Sequence, residues 1–192
     1  MPTGHTFPRL ESDHAAFLRE RAKPILTRQP RLAELRRRLL DLGGLEVVWQ
    51  QTEIHLDDLI ERGRTYTRSR MRRRFIADSE CHPNAASLWY ESRGATKIAT
   101  GYALGDSGLW FSHSWGVEDG RIIETTSSRG LGYFGVELSG EIALRFMLGN
   151  ASRELMKRFK ADVRSGSCFR ELVDIATAVA APLASRNSGG VG

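Results

Sequence analysis

One cysteine stands where a thiol could act as a nucleophile. Cys81 lies in the run Ser79-Glu80-Cys81-His82-Pro83-Asn84-Ala85. Pro83 has no N–H and cannot sit deep in a helix, but a first turn accepts it because the N–H groups there are unpaired anyway. The apolar residues Ala85, Leu88 and Trp89 then predict a helix over 83–92. Cys81 is therefore expected at, or just before, a helix N-terminus. The helix dipole and free N–H groups there favour the thiolate, the form that attacks a carbonyl. Taken alone, the position also suits a small buried core thiol.

A base and a carboxylate are set up further along. Asp119-Gly120 predicts a hairpin between strands over 109–118 and 121–127. For a two-residue turn, His113 faces Thr126 and Trp115 faces Glu124. Residues 111, 113, 115 and 117 share one face with Glu124 and Thr126. Glu124 is then the diagonal neighbour of His113, within about 7 Å between Cβ atoms. A carboxylate on one imidazole nitrogen fixes the tautomer and raises the basicity of the ring. A slip of one residue puts Glu124 on the other face.

The order Cys81, His113, Glu124 resembles that of papain-like and transglutaminase-like cysteine enzymes. His113-Ser114-Trp115, Asp119-Gly120-Arg121 and Glu124-Thr125-Thr126 are similar to the transglutaminase-like succession of His, aromatic, turn and acid. Glu80-Cys81 with Asn84-Ala85, Gly101-Tyr102-Ala103, His113 with Trp115, and Tyr133-Phe134-Gly135-Val136 resemble small bacterial and phage proteins over residues 80–136. The resemblance implies a thiol hydrolase or an acyl or aminoacyl transferase, with an amide- or ester-containing substrate such as a peptide. Two departures stand out: the acid is Glu124 where Asp is commoner, and no side chain is assigned as oxyanion donor. Main-chain N–H groups near Cys81 are the substitute.

Other residues are candidates for contact with substrate. Asn84, one turn from Cys81, could cap the helix or serve an oxyanion. Tyr102 and Trp110 could line a groove. Trp115, on the His113 face, suits either the core or a substrate platform. His82 is expected to face the surface. Cys168, with Phe169 and Leu172, suits a core thiol on an amphipathic helix. His5, His14 and His55 have no partners at ligand spacing, and no metal or cofactor is expected.

The elements that must position these groups give an α+β fold: an antiparallel sheet of about four strands, the nucleophile helix packed on it, and helices at both ends. Helices are expected over 12–23, 31–42 and 56–63, with a short strand over 45–50. Strands follow over 97–104, 109–118, 121–127 and 133–138. Helices over 140–148, 153–164 and 168–180 precede a disordered tail over 185–192. The organisation is a basic helical extension over 1–74, a catalytic core over 75–138 and C-terminal helices over 139–184.

The 192 residues are 41% hydrophobic and 27% charged, enough for a packed core and against disorder throughout. Two cysteines make no disulfide framework, and no apolar run suits a membrane span or a secretory leader. A cytoplasmic protein is expected. The net charge of +5 is uneven: +6 over 1–74, −4 over 75–150 and +3 over 151–192. Arg62, Arg64, Arg68, Arg70, Arg72, Arg73 and Arg74 are crowded into one segment, with alternation at 68, 70, 72 and 74 suggesting an edge strand. Such a patch could meet nucleic acid or an acidic partner on an inactive scaffold, although only Tyr66 offers a stacking ring nearby.

Overall fold

The computed structural model describes residues 9–49, 53–127 and 130–167, apart from the side chains of residues 9–12 and Arg70. Cys168, the expected helix over 168–180 and the expected tail lie outside the described residues.

The chain starts with α1 (Arg9–Arg28) and α2 (Pro30–Asp41), separated at Gln29. Pro30 opens α2, and Leu32, Leu35 and Leu39 recur at helical spacing to give its buried stripe. Then come β1 (Glu46–Val48), α3 (Leu56–Arg62), β2 (Arg64–Tyr66), a 3-10 turn over Arg68–Arg70 and β3 (Arg72–Arg73). The Arg-rich segment is therefore a turn and a two-residue strand, not one alternating strand. The helix α4 spans Cys81–Glu91. The strands β4 (Lys97–Leu104), β5 (Leu109–Glu118), β6 (Arg121–Glu124) and β7 (Gly132–Leu138) follow. Two helices, α5 (Gly140–Asn150) and α6 (Arg153–Ser165), complete the described chain. In α6, the Ser152 hydroxyl accepts the N–H of Leu155 at 3.1 Å and Gly166 ends the helix in the left-handed region.

The fold is α+β, but the sheet is larger than expected. Seven strands form one mixed sheet in the order β2-β7-β4-β5-β6-β3, with β1 also on β5. The pairs β4–β5, β4–β7, β5–β6 and β2–β7 are antiparallel, whereas β1–β5 and β3–β6 are parallel. Three strands come from residues 1–74, where only the short strand over 45–50, observed as β1, is expected. β2 and β3 are too short to stand out by periodicity, and the existing sheet recruits them. Leu35, Leu39 and Leu59 of the same segment are fully buried in the main core, worth about 1.5–3 kcal/mol each. Residues 1–74 therefore contribute to the body of the fold.

The sheet is curled. β2 and β3 occupy opposite edges yet are joined by residues 67–71 alone. A fully extended link of that length reaches about 20 Å, and the 3-10 turn shortens it. Six flat strands would hold their edges about 24 Å apart. The edges must approach, and one face is enclosed. Tyr66 of β2 meets Trp115 of β5 edge-to-face at 5.3 Å, although two strands separate them in the order. The enclosed face holds Tyr66, Ala99, Trp115, Val117, Ile122 and Tyr133. The outer face, with Ile98, Tyr102, Leu104, Trp110, Phe134 and Val136, packs with residues of α2, α3, α4 and α5.

Candidate active site

Two strands share one edge of β5. β1 pairs with residues 109–111 and β6 with residues 116–118. Between them, residues 112–115 have no strand on that edge. The start of α4 meets β5 in this gap, and the main-chain N–H groups of Ser114 and His82 act on the Cys81 sulfur there, favouring its thiolate.

The chain leading to Cys81 is held beside Glu124. β3 runs parallel to β6 with Arg73 opposite Glu124. The N–H of Arg74 then donates to the Glu124 carbonyl, and that of Ile76 to the Thr125 carbonyl, both at 2.9 Å. The Asp78 carboxylate accepts the N–H of Ser127 at 2.6 Å. Asn84 donates its amide to the carbonyls of Ala77 at 2.7 Å and Thr125 at 3.4 Å. It is buried, with both amide protons committed. Asn84 is thus a brace between the two loops and not a substrate contact, a correction that follows from where its donors go.

Cys81 is the first residue of α4, half-buried, with Pro83 in the first turn. His113 and Glu124 lie on the enclosed face. The hairpin pairs Glu118 with Arg121, Val117 with Ile122 and Gly116 with Ile123, which is the register of a two-residue turn. His113 Nε2 is 2.9 Å from Glu124 Oε2. A carboxylate only accepts, so Nε2 carries the proton and Nδ1 is left for the thiol. The Cys81 thiol lies near enough to His113 for the ring to favour its thiolate.

Glu124 is wholly buried and its oxygens are filled. Besides His113, Oε2 accepts the hydroxyl of Tyr133 at 2.8 Å. Oε1 accepts the N–H of Thr125 at 2.9 Å, the N–H of Thr126 at 3.0 Å and the Thr126 hydroxyl at 2.9 Å. Burial pushes this carboxyl up, but His113 and these donors outweigh it and lower it to about 2. Burial pushes His113 down, while Cys81 and Glu124 raise it to about 9. Burial likewise pushes the Cys81 thiol up, yet His113 and the N–H groups of Ser114 and His82 bring it below the usual thiol range. All three shifts favour a thiolate beside an imidazolium, oriented by a carboxylate.

The packing around His113 explains the glycines near it. Gly101 is the cross-strand partner of His113, and Gly135 that of Gly101. A Cβ on Gly135 would lie 2.5 Å from the Thr100 carbonyl oxygen and 2.6 Å from the Trp115 ring. The bare backbone makes room for Trp115, whose ring stacks on His113 at 6.1 Å with planes 22° apart. Trp115 also meets Tyr133 edge-to-face at 5.2 Å.

Two of the other candidates belong to the interior. Trp115 is wholly buried, a wall behind His113 and closed to substrate. Trp110 is buried on the opposite face and donates its indole N–H to the Gly43 carbonyl at 2.7 Å, so it lines no groove. Tyr102 is buried too, but its edge borders a cavity on that face. His82 is half-buried and faces a cavity instead of the open surface. Its Nδ1 lies 2.7 Å from the Ser114 hydroxyl, which donates to Thr100 Oγ1 at 2.9 Å. Ser114, Thr126 and Tyr133 stand in the motifs quoted from the sequence, but the sequence assigns them no role at the site. Their parity on β5 and β7, and the threonine two positions beyond Glu124, were the available signals.

The basic segment is largely paired. Arg62 pairs with Asp58, Arg64 with Glu137, Arg72 with Glu118 at 3.6 Å and Arg74 with Glu91 at 3.1 Å. Arg73 donates to the Ser127 carbonyl at 2.9 Å, and Arg68 is exposed. Sequence crowding thus becomes dispersal around the sheet edges. Among the described residues, no group of three or more His, Cys, Asp or Glu could hold a metal ion. Nor is any described helix long and apolar enough to cross a membrane.

Comparisons of the chain with protein-family models, with curated proteins and with solved structures gave no match.

Proposed function

We propose that this chain is a cysteine-nucleophile acyl-transfer enzyme, of the papain-like or transglutaminase-like kind, acting on an amide or ester. The observation that carries the reading is the continuous chain from the Cys81 thiol through His113 to a Glu124 carboxylate whose oxygens accept four further protein donors.

The Cys81 thiolate adds to the carbonyl carbon, and the carbonyl electron pair moves to oxygen. Main-chain N–H groups at the start of α4 are the donors for that oxyanion. The tetrahedral adduct collapses, the C–N or C–O bond breaks, and the His113 imidazolium gives its proton to the leaving group. A thioester remains on Cys81. Water or an amine then adds to the thioester while His113 takes its proton, and the thiolate leaves. Glu124 holds Nε2–H throughout and stabilises the imidazolium. Water gives a hydrolase and an amine gives a transferase. A reducing compartment such as the cytoplasm keeps the thiol free for this role.

The test is alkylation by iodoacetamide at pH 7, followed by peptide mass analysis. Cys81 is expected to react much faster than Cys168, and Cys81→Ala to abolish both the fast phase and the burst with p-nitrophenyl acetate. Equal rates at the two cysteines, or a burst that survives Cys81→Ala, would overturn the reading.

A further inference from the structure

The face of the sheet opposite His113 carries an open cavity of about 160 Å³. Trp49, Glu53, His55, His82, Tyr102 and Phe146 are among the residues that line it. The volume suits one ring or a short alkyl chain with a polar head. Trp49 meets Tyr102 edge-to-face at 6.0 Å, and Phe146 faces His55 at 6.4 Å and His82 at 5.9 Å. The walls are thus aromatic on both sides.

Glu53 gives this cavity its charge. Its Oε2 accepts the Tyr102 hydroxyl at 2.8 Å, and its Oε1 accepts the main-chain N–H of His55 at 3.2 Å. A carboxylate has about four lone-pair sites, so further donors can be received. Burial holds His55 below its ordinary value against the opposing charges of Glu53 and Asp58. Burial does the same to His82, with His113 and His55 adding to it. Both imidazoles are neutral near pH 7, which leaves Glu53 as the one formal charge among the described lining residues. A carboxylate set among ring faces attracts a cation that donates hydrogen bonds. His82 is the wall shared with the reactive centre: it follows Cys81 in the chain, and its ring meets the side chain of Ser114.

We propose that this cavity binds a primary ammonium group of the substrate, held by the Glu53 carboxylate between the rings of Trp49, Tyr102 and Phe146. The role of the ligand as substrate rests on the reading of Cys81 as nucleophile, whereas the binding itself does not.

Binding is measured by calorimetry on the Cys81→Ala protein, with benzylammonium as probe and benzyl alcohol as its neutral counterpart. Benzylammonium is expected to bind at least about tenfold more tightly. Glu53→Gln, which can still accept from Tyr102, is expected to remove that preference. Tyr102→Phe, which keeps the ring and frees a lone pair of Glu53, is expected to retain it. Equal affinity for the two probes, no binding of benzylammonium, or a preference that survives Glu53→Gln would overturn the proposal. In the unaltered protein, saturating benzylammonium is expected to change the alkylation rate of Cys81, and an unchanged rate would overturn the link to the thiol. An unreactive Cys81 reveals itself without the probe, so the two readings fail separately. Nα-acetyl-lysinamide and alaninamide, titrated in the same way, distinguish a lysine side chain from a free amino terminus as the source.

Discussion

The ring of His82 and the hydroxyl of Ser114 lie 2.7 Å apart, joining the start of the Cys81 helix to the strand that carries His113. Ser114 makes the join from both sides, since its main-chain N–H also acts on the Cys81 sulfur. The contact that ties the Cys81 helix to the strand of His113 therefore lies on the opposite face of β5 from the His113 ring.

His82 and Ser114 are positioning residues on this geometry. His82→Phe keeps the contact with Phe146 and removes the one with Ser114. It is expected to slow Cys81 alkylation about tenfold, because small misplacements of reacting groups cost that order of rate. His82→Gln restores a donor to Ser114 and is expected to recover part of the loss. A merely structural role would lower the melting temperature without moving the pH inflection of alkylation, whereas a positioning role moves the inflection up.

The pH dependence of the site has two limbs. Alkylation of Cys81 is expected to rise through an inflection below the ordinary thiol range, where the thiolate forms. Ester turnover is expected to fall near pH 9, where His113 loses its proton. In His113→Ala the main opposition to burial is gone, so the alkylation inflection moves up. Stopped-flow alkylation from pH 4 to 10 measures the shift. An inflection that stays in place in His113→Ala would mean that the ring does not stabilise the thiolate.

Stability follows the same pair. His113 is raised from 6.5 to about 9 in the folded state, so its contribution is complete below pH 6.5 and fades as the pH climbs to about 9. Glu124 is lowered from 4.5 to about 2, so its contribution is complete above pH 4.5 and fades towards pH 2. The contribution of the pair to the denaturation midpoint is therefore expected to be greatest between pH 4.5 and 6.5, with the alkaline decline absent in His113→Gln. An alkaline decline of equal size in His113→Gln would assign it to other groups.

Gly135→Ala tests the packing behind the base. The new methyl meets a main-chain oxygen and the Trp115 ring at about 2.5 Å, so Trp115 must shift and with it the ring stacked on His113. A loss of about 1–3 kcal/mol is expected, together with slower Cys81 alkylation. Urea titration and alkylation of the same samples check both, and an unchanged midpoint would show that the sheet yields there without strain.

Glu46 offers a control away from the site. It is wholly buried and accepts Nε of Arg36 at 2.6 Å, Nε of Arg19 at 3.2 Å and the N–H of Val47 at 3.0 Å. Burial opposes its charge, but these donors hold the carboxyl below its ordinary value. The Arg19 side chain is 54% exposed and that of Arg36 22%, so Glu46→Ala leaves both guanidiniums in reach of water and is expected to cost about 1–3 kcal/mol, read by urea titration. The pH inflection of Cys81 alkylation is expected to stay where it is at a temperature at which the variant is folded.

Much of the site was legible because it depends on short-range rules. Pro83 places the helix start within a residue or two, and Cys81 is where that rule puts it. Asp119-Gly120 fixes a two-residue turn, and strand parity then sets His113 and Glu124 on one face. Local periodicity likewise gave α2, α4 and the four central strands. The apolar run Val47-Val48-Trp49 marks β1 as well, but nothing local marks β2 or β3, since two or three residues carry no period. Their strand state comes from the edges they join.

What the sequence by itself determined is which side chains could react and in what order they come. The tertiary structure alone decided that they meet. The enclosed face exists because a five-residue link pulls two sheet edges together, and that enclosure buries Glu124 and brings Tyr133 to it. The opening on β5 exists because β1 and β6 leave residues 112–115 unpaired on one edge, where the Cys81 helix can reach the main chain beside His113. Both depend on pairings between residues about 50 to 70 positions apart, and no local pattern encodes a contact at that range.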